Sequence, residues 1–480
     1  MMSEPDFPSL LLTSAGAEAR GAFARAQADF LDPDSAWVSR LDARLAEANT
    51  GVVAHFYMDA ELQGALFASQ WPHIHISDSL LMADAAVKMA EAGVERVVVL
   101  GVDFMSENVR AMLDVGGHQA VQVLRASEAS IGCSLAESAE RPEYAAWLQR
   151  AAQSPFSLHV VYINTSLRTK AHAHATVPTI TCTSSNVVRT ILQAASQEPR
   201  GHIWFGPDTY MGRNLKTFFE YVSSMSAEDV AKLHPDHTPQ TVASLLERFH
   251  YFEQGNCFVH HLFGDVVAAK VRNRYPDAYI TAHLEVPGEM FALGLEAQNE
   301  GRGVVGSTSD ILRFIESTTR DALAQEQPRR CRFVLGTEAG MVTSIVRCVR
   351  ALLEAQARPL VEVEIIFPVN EGAVAATGDA ALPVVPGVQA GEGCSTDGGC
   401  ATCPYMKMNS LDALDDLLLK VEVGQENLDG FSPRVYDERI GARSVAEVGG
   451  EPILFMRDFQ RTGALPEALI DLLRVGSDVR

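Results

Sequence analysis

Residues 51–102 have the sequence GVVAHFYMDAELQGALFASQWPHIHISDSLLMADAAVKMAEAGVERVVVLGV. Two apolar runs rich in valine, residues 51–57 and 94–102, enclose a segment whose apolar spacing is typical of a helix. Gly93 ends this segment at the position where a helix commonly closes with a glycine. Because runs that are apolar on both faces are typical of buried parallel strands, the stretch predicts a strand–helix–strand unit.

The same alternation continues to residue 367. Seven further apolar runs are SLHVVYIN (157–164), VPTITCT (177–183), HIWFG (202–206), AYITAHLEV (278–286), GVVGST (303–308), RCRFVLGT (330–337) and VEVEIIF (361–367). Nine runs exceed the roughly five to six strands of one ordinary sheet, so we predict an α/β protein built from several small lobes. Residues 1–45 have a helical pattern, residues 220–254 form a polar helical insertion, and residues 368–399 form a long loop without periodicity.

Charge and cysteine content exclude several classes of protein. The 480 residues include 39 basic and 61 acidic ones, and the net charge of −22 argues against non-specific nucleic-acid binding. No apolar run reaches the roughly 18 residues of a membrane span, and the acidic N-terminus lacks the features of a secretory signal. Eight cysteines are too few for a disulfide scaffold. We therefore expect a cytoplasmic protein that contacts neither nucleic acid nor membrane.

Polar clusters follow the apolar runs and predict where a ligand binds. They are HFYMD (55–59), SDSL (77–80), YIN (162–164), TSSN (183–186), HLE (283–285), GSTSD (306–310) and GTEAG (336–340). In parallel α/β folds ligands bind beyond the carboxyl ends of the strands. The alternative is that these residues only cap the next helix. Hydroxyls in SDSL, TSSN and GSTSD stand at helix starts, which favour carboxylate or phosphate.

Two pairs of residues have the spacing of acid–base chemistry. His283 and Glu285 lie two positions apart at a strand end and therefore share a face. His55 and Tyr57 have the same relation. Each histidine could instead be a buried side chain bonded to a backbone carbonyl.

The segment CSTDGGCATCPYMKMN, residues 394–409, carries the strongest local signal. Cys400 and Cys403 could form a redox pair, half of a zinc site or part of an iron–sulfur ligand set. A structural zinc site needs a second close pair, which Cys394 alone does not supply. Further cluster ligands could come from Cys133 and Cys257, which lie in polar loops. Cys331 and Cys348 are expected in the core, and Cys182 is ambiguous.

Taken together, these segments resemble the quinolinate synthase family, in its plant-type branch. The matching segments, in order, are AHFYMDAELQ, SDSLLMADAA, GVDFMSENVR, GCSLAE, VVYINTS, CTSSNVV, FGPDTYMGRNL, GNCFVHHLF, RYPDAYITAHLEV, GSTSD, GTEAGM and CPYMKMN. They cover about residues 51–411.

The resemblance implies three small parallel-sheet α/β lobes around a pseudo-threefold axis, with a [4Fe–4S] cluster at the centre. Each lobe gives one ligand, and these are Cys133, Cys257 and Cys403. The expected organisation is a helical extension (1–45), lobe 1 (46–135), lobe 2 (136–258), lobe 3 (259–405) and a C-terminal helical segment that packs on lobe 1 (406–480). Three thiolates leave one iron open, and an open iron can act as a Lewis acid.

The family condenses iminoaspartate with dihydroxyacetone phosphate to quinolinate, phosphate and water in NAD biosynthesis, which links it to an iminoaspartate-producing enzyme. The resemblance assigns proton transfer to Tyr162, His283 and Glu285. The remaining residues expected at the substrate are His55, Tyr57, Ser79, Asn164, Ser184, Ser307 and Thr308, with His260 as a further candidate for a cavity wall or phosphate contact. Two alternatives are a non-catalytic iron–sulfur carrier or scaffold, and a thiol–disulfide oxidoreductase that uses Cys400 and Cys403.

Overall fold

The structure is a computed structural model that describes residues 6–255, 257, 263–325, 327–338, 340–355, 360–368, 403, 405–424 and 427–478. Within these residues the chain forms α-helices, two four-stranded parallel sheets, a six-stranded mixed sheet with four parallel strands and a two-stranded hairpin, which confirms the prediction of an α/β protein with several small sheets. The expected loop at 368–399 falls almost entirely outside the described residues, as do Cys394, Cys400 and His260.

The N-terminal segment begins with strands β1 (Ser9–Thr13) and β2 (Gly16–Arg20), followed by helices α1 (Ala22–Ala28) and α2 (Ser35–Glu47). The expectation that residues 1–45 are helical is therefore wrong for residues 9–13 and 16–20, which form strands. Their sequences, SLLLT and GAEAR, are short and form strands by pairing with each other and with a strand more than 300 residues away.

The first sheet contains β3 (Thr50–His55), β4 (Ile74–Ser77), β5 (Arg96–Leu100) and β6 (Gln122–Arg125). The helices between these strands are α3 (Ala60–Ala68), α4 (Ser79–Glu91) and α5 (Asp103–Val115). Asp59 and Asp78 cap α3 and α4, since each side chain accepts backbone N–H groups of the first helical turn.

The second sheet follows helices α6 (Ser134–Ala139) and α7 (Pro142–Gln153). Its elements in chain order are β7 (Ser157–Tyr162), α8 (Leu167–Thr176), β8 (Thr179–Cys182), α9 (Val187–Gln197), β9 (His202–Gly206), α10 (Thr209–Val222), α11 (Ala227–Leu233), α12 (Pro239–Leu246) and β10 (Phe249–Tyr251). The predicted insertion at 220–254 is thus mainly helical but ends in a strand. Aromatic side chains, including Tyr144, Trp147, Trp204 and Phe252, form a buried cluster beside this sheet.

The third sheet follows α13 (Asp265–Arg274). Its elements in chain order are β11 (Tyr279–His283), α14 (Gly288–Asn299), β12 (Gly303–Gly306), α15 (Thr308–Ala324), β13 (Arg329–Gly336), α16 (Met341–Glu354) and β14 (Val361–Ile366). Strands β1 and β2 extend this sheet, and β1 pairs antiparallel with β14.

The C-terminal elements are α17 (Leu411–Glu422), a short hairpin of β15 (Arg439–Ile440) and β16 (Arg443–Ser444), α18 (Val445–Thr462) and α19 (Glu467–Asp478). Helix α17 packs on α2. Helix α18 packs instead on α8 and β8 of the second sheet, where Gly449 allows the helix to approach the backbone of Leu167. Helix α18 also contacts α5, which lies within the residues expected for the first lobe, whereas α2 lies mostly within the expected N-terminal extension.

The three parallel sheets share one strand order. With the antiparallel strands β1 and β2 left out and the parallel strands of each sheet numbered along the chain, the strands lie in the order second, first, third, fourth. The residues that end the first strand are His55, Tyr162 and His283, and they pair in register with Ser77, Cys182 and Gly306. This common register makes positions in one sheet directly comparable with positions in the others.

The chain divides into two compact units. The first unit comprises residues 1–101, 120–131 and 258–432, and it contains the first and third sheets. The second unit comprises residues 102–119, 132–257 and 433–480, with the second sheet, α5, α18 and α19. No helix among the described residues is both long enough and apolar enough to cross a membrane.

Candidate functional site

Predicted site residues occupy equivalent positions in the three sheets. The residue that ends the first strand is His55, Tyr162 or His283, and two positions later stand Tyr57, Asn164 and Glu285. Two positions after the end of the second strand stand Ser79, Ser184 and Thr308. Since the strand order reverses beside the first strand, these positions flank the crevice where parallel α/β folds bind ligands.

In the first unit, His55 and Tyr57 form one packed pair. The Tyr57 backbone N–H donates to His55 Nδ1 over 3.2 Å, and the two rings meet edge to face with centroids 4.7 Å apart. Because Nδ1 accepts a hydrogen bond, the neutral His55 ring carries its proton on Nε2. Burial lowers the pKa of His55 to about 4, and the nearby charge of Glu285 opposes part of this shift.

His283 and Glu285 repeat this arrangement in the third sheet. The Glu285 backbone N–H donates to His283 Nδ1 over 3.3 Å, and both side chains are almost completely buried. The Glu285 carboxylate lies 3.7 Å from the same nitrogen. Since Nδ1 already accepts the backbone N–H, the neutral His283 ring carries its proton on Nε2. Both strand-end histidines of the first unit are thereby oriented as Nε2–H donors.

Tyr57 connects the two sheets of the first unit through its hydroxyl group. Tyr57 Oη lies 3.2 Å from Thr308 Oγ1, at the first residue of α15. Burial, followed by the negative charges of Glu285 and Glu338, raises the pKa of Tyr57 well above its usual value. Hydrogen bonding by Thr308 and Thr337 opposes that shift. The tyrosine is therefore a neutral hydroxyl donor or acceptor beside two carboxylates.

The helix-start hydroxyls have two different local roles. Ser307 caps α15, because its hydroxyl accepts the Asp310 N–H while Asp310 accepts the Ser307 N–H. This bears out the capping interpretation for Ser307. Ser79 and Thr308 instead occupy the first position of their helices and are buried. At that position a side chain stands at the positive end of the helix dipole, the setting that favours a bound anion.

The predicted residues of the second unit lie around the end of β7 and the start of α9. Tyr162 is buried, while Asn164 and Ser184 are half-buried. The backbone between Tyr162 and Thr165 is held tightly, since the Thr165 hydroxyl donates to the Tyr162 carbonyl over 3.1 Å. In the TSSN cluster, Asn186 Oδ1 accepts the Thr183 N–H over 2.9 Å, which closes the turn before α9.

Four further residues contact this site in the first unit, of which three lie in the predicted polar cluster at 336–340 without having been named individually as site residues. Glu338 and Thr337 follow β13 and act on the pKa of Tyr57. Gln63 Nε2 donates to the carbonyls of Phe56, Met58 and Gly340 over 2.7 to 2.9 Å. A Cβ added at Gly340 would lie 2.6 Å from Tyr57 Cα, so only glycine fits there. The cluster at 336–340 was a usable signal for Glu338, whereas Gln63 had none.

The three predicted cluster ligands are partly buried cysteines that form no disulfide among the described residues. Cys133, Cys257 and Cys403 each follow the fourth strand of a different sheet and precede the next α-helix. Among the described residues, no group of three or more His, Cys, Asp or Glu side chains is arranged to hold a metal ion. The buried thiols of Cys182 and Cys331 have raised pKa values because of burial, which is typical of core cysteines.

Comparisons with known proteins agree on one family. The family model described as quinolinate synthetase A protein matches residues 39–358. The chain is 53% identical over 477 residues to the chloroplastic quinolinate synthase of Arabidopsis thaliana and 51% identical over 486 residues to that of Oryza sativa. These alignments cover 97% of the chain, and 66% and 68% of the two relatives. The quinolinate synthase of Trichormus variabilis is 26% identical over 302 residues, which cover 63% of the chain and 71% of that relative.

The relatives correct one expectation. Plant proteins that match nearly the whole chain are chloroplastic by name, so the expectation of a cytoplasmic location is wrong. That expectation relied on the first residues of a chain that spans about two thirds of the length of these relatives.

Proposed function

The chain belongs to the quinolinate synthase family, and we propose on this basis that it condenses iminoaspartate with dihydroxyacetone phosphate to give quinolinate, phosphate and water. The observation that carries the proposal is the polar group formed by the half-buried Tyr57 and the buried residues His55, His283, Glu285 and Thr308. Such a group offers neutral donors beside a carboxylate, as proton transfer during a condensation requires. In this role the chain supplies NAD biosynthesis and depends on an enzyme that produces iminoaspartate.

Proton transfer is assigned to Tyr162, His283 and Glu285. His283 presents Nε2–H because Nδ1 is engaged by the backbone, so it can donate to a substrate oxygen on which negative charge develops. Glu285, two residues away on the same strand end, can accept a proton from a carbon next to a carbonyl or imine. Tyr162 occupies the equivalent strand end in the second sheet and would serve the enol oxygen.

Substrate anions are assigned to the helix starts. Ser79, Ser184 and Thr308 stand at equivalent positions near the N-termini of α4, α9 and α15. Each of these helices has at least 11 residues, so each presents a positive dipole end beside these hydroxyl groups. The two substrates together carry carboxylates and a phosphate. The positive helix ends explain how a chain with a net charge of −22 can bind these anions.

An iron–sulfur cluster fits the chemistry of the three equivalent cysteines. Thiolates are the usual ligands of such clusters, and Cys133, Cys257 and Cys403 occur once per sheet at the same place in the strand order. We propose that they hold a [4Fe–4S] cluster between three lobes related by a pseudo-threefold axis. When bound, a cluster with one open iron supplies Lewis-acid assistance to the loss of water.

Anaerobic turnover tests the proposed activity directly. Protein purified and reconstituted without oxygen is mixed with dihydroxyacetone phosphate and iminoaspartate generated in place, and quinolinate and phosphate are quantified together. We expect the two products in equal amounts, and neither when dihydroxyacetone phosphate is omitted. Cluster-loaded protein that forms no quinolinate would contradict the proposal and favour the alternative of an iron–sulfur carrier.

A further inference from the structure

Gln63 and Lys170 stand at equivalent positions of two different sheets. Gln63 lies eight residues after His55, which ends the first strand of the first sheet, and Lys170 lies eight residues after Tyr162, which ends the first strand of the second sheet. Both residues are completely buried on the helix that follows the strand. Their side chains differ in type, yet both end in a nitrogen that donates hydrogen bonds.

The two nitrogens bind the same pair of backbone carbonyls in their respective loops. Gln63 Nε2 donates to Phe56 O over 2.9 Å and to Met58 O over 2.8 Å, the carbonyls on either side of Tyr57. Lys170 Nζ donates to Ile163 O over 3.0 Å and also to Thr165 O, the carbonyls on either side of Asn164. In both loops the bridged residue is the one two positions after the strand end.

A donor that bridges the carbonyls on both sides of a residue fixes that residue's backbone. The peptide plane before the bridged residue and the second plane after it are held at once, which restricts the backbone between them and the direction in which the bridged side chain leaves the loop. The equivalent position in the third sheet is Phe291, whose side chain has no donor. The bridge is therefore specific to the loops that carry Tyr57 and Asn164, and it is not a general requirement of this strand order.

We propose that Gln63 and Lys170 are positioning residues that hold Tyr57 and Asn164 in their reactive orientation. This inference rests on the proposed function for its effect on turnover, although the bridges themselves do not depend on it.

The electrostatic setting of Lys170 is compatible with this role. Burial lowers the pKa of Lys170 to about 7, while Glu107 partly opposes the shift. Glu107 in turn accepts the Leu167 N–H over 2.9 Å and the Tyr436 hydroxyl over 3.0 Å. Even an uncharged lysine amine keeps two N–H groups, the number needed for two carbonyls. The bridge therefore does not require the ammonium form.

Exchanging the two kinds of bridge tests the proposal. Lys170→Met removes the hydrogen-bond donor but keeps a side chain of similar length. Lys170→Gln introduces the amide donor that the first sheet uses. Lys216→Met is the control, at an exposed lysine on α10 of the same unit. Turnover under anaerobic conditions and amide hydrogen exchange of the peptide covering residues 157–166 are measured on the cluster-loaded protein, together with the melting temperature.

We expect Lys170→Met to lower kcat at least 100-fold and to accelerate exchange in the 157–166 peptide at least tenfold. Lys170→Gln should have a kcat at least tenfold higher than that of Lys170→Met and an exchange rate close to that of the wild type. Lys216→Met should match the wild type in both measurements.

Unchanged exchange in Lys170→Met would overturn the bridge. Equal activity loss in the Met and Gln variants, in proportion to loss of thermal stability, would reduce Lys170 to a structural role. If the wild-type protein shows no turnover while the variants show the expected differences in exchange, the proposed function is contradicted and the bridge is supported.

Discussion

Tyr57 and Thr308 are 251 residues apart in the chain, and their hydroxyl oxygens lie 3.2 Å apart in the first unit. Tyr57 belongs to the loop after the first strand of the first sheet, and Thr308 begins the helix after the second strand of the third sheet. This contact joins two loops that the sequence predicted separately as ligand-binding. It also places the tyrosine beside Glu285 and Glu338, whose charges disfavour its ionisation.

Replacement of either hydroxyl should impair turnover without unfolding the protein. We expect Tyr57→Phe and Thr308→Val each to lower kcat/KM about tenfold, the effect of losing one hydrogen bond of about 1.4 kcal/mol. The double variant should be no worse than either single variant, because both remove the same interaction. Tyr279→Phe, at the other end of β11, serves as the control and should keep wild-type activity. Independent, multiplying effects of the two changes would contradict a functional contact.

Glycine at position 340 is expected to be essential for the shape of the site. An added Cβ would lie 2.6 Å from Tyr57 Cα and 2.8 Å from Phe56 O, and backbone atoms cannot move aside as a flexible side chain can. We expect Gly340→Ala to displace the Tyr57 loop and to lower kcat about 100-fold, with a loss of about 1–3 kcal/mol in unfolding free energy.

Gly288→Ala is the matched control for this change. Among the described residues, nothing lies within 4 Å of a Cβ at Gly288, which begins α14. Its turnover and its denaturation midpoint should stay close to those of the wild type. Full activity in Gly340→Ala would show that the loop tolerates displacement and that Tyr57 does not need its observed position.

Glu285 should be required for chemistry more than for stability. The conservative change Glu285→Gln keeps the shape of the buried side chain but removes the proton acceptor, so kcat should fall by about 10²- to 10⁴-fold. Loss of its charge should also lower the pKa of Tyr57, since that charge helps to raise it. Steady-state kinetics and the ultraviolet titration of tyrosine measure the two effects. The exposed Glu289→Gln variant should show neither, and an active Glu285→Gln enzyme would remove the residue from its assigned role.

The strands that the sequence predicted are those that are buried by their own composition. Val97, Val98 and Val99 in β5 are each at most 1% exposed, and a run of this kind can be recognised without knowing its neighbours. Strands β4, β6 and β10 were not predicted, because their sequences IHIS, QVLR and FHY mix apolar with polar residues and most of their side chains are only half-buried or exposed. Strand β2 was missed for another reason, since GAEAR is polar and forms a strand by pairing with β1.

The site was predictable where its residues are close in sequence. The spacing of two between His55 and Tyr57, and between His283 and Glu285, indicated shared faces, and the backbone N–H bonds to Nδ1 confirm that each pair is in contact. Gln63 was not predictable, because one of its acceptors is the carbonyl of Gly340, 277 residues away. Long-range packing of this kind leaves no local pattern.

Only three of the described cysteines should affect cluster binding. We expect Cys133→Ala, Cys257→Ala and Cys403→Ala each to abolish the iron content and the visible absorbance of anaerobically reconstituted protein, because each removes one of three thiolate ligands. Cys182→Ala, Cys331→Ala and Cys348→Ala are matched controls and should retain a full cluster, since these residues lie in β8, β13 and α16. Loss of the cluster in Cys182→Ala, with retention in Cys257→Ala, would show that Cys182 is the cluster ligand of the second sheet.

Buried histidines should make the protein less stable in mild acid. His159 is completely buried, with Nε2 2.8 Å from the Tyr144 hydroxyl and Nδ1 3.2 Å from Thr179 Oγ1. Burial, with a smaller effect of His174, lowers the pKa of His159 to about 3. The unfolded chain therefore binds one more proton than the folded chain between pH 3 and 6.5. This contribution to stability is complete above pH 6.5 and falls with decreasing pH, by at most about 1.4 kcal/mol per pH unit.

Urea denaturation of wild-type protein and of His159→Gln between pH 7 and pH 5 measures this contribution. At pH 7 the variant should be less stable by about 1–3 kcal/mol, because buried hydrogen bonds to Tyr144 and Thr179 are lost. As the pH falls, the difference should shrink, since only the wild type still loses stability through protonation at this position. His118→Gln, at a partly exposed histidine of the same unit, should keep the wild-type slope. A His159→Gln slope equal to that of the wild type would mean that the His159 ring accepts a proton in the folded state as readily as in the unfolded chain.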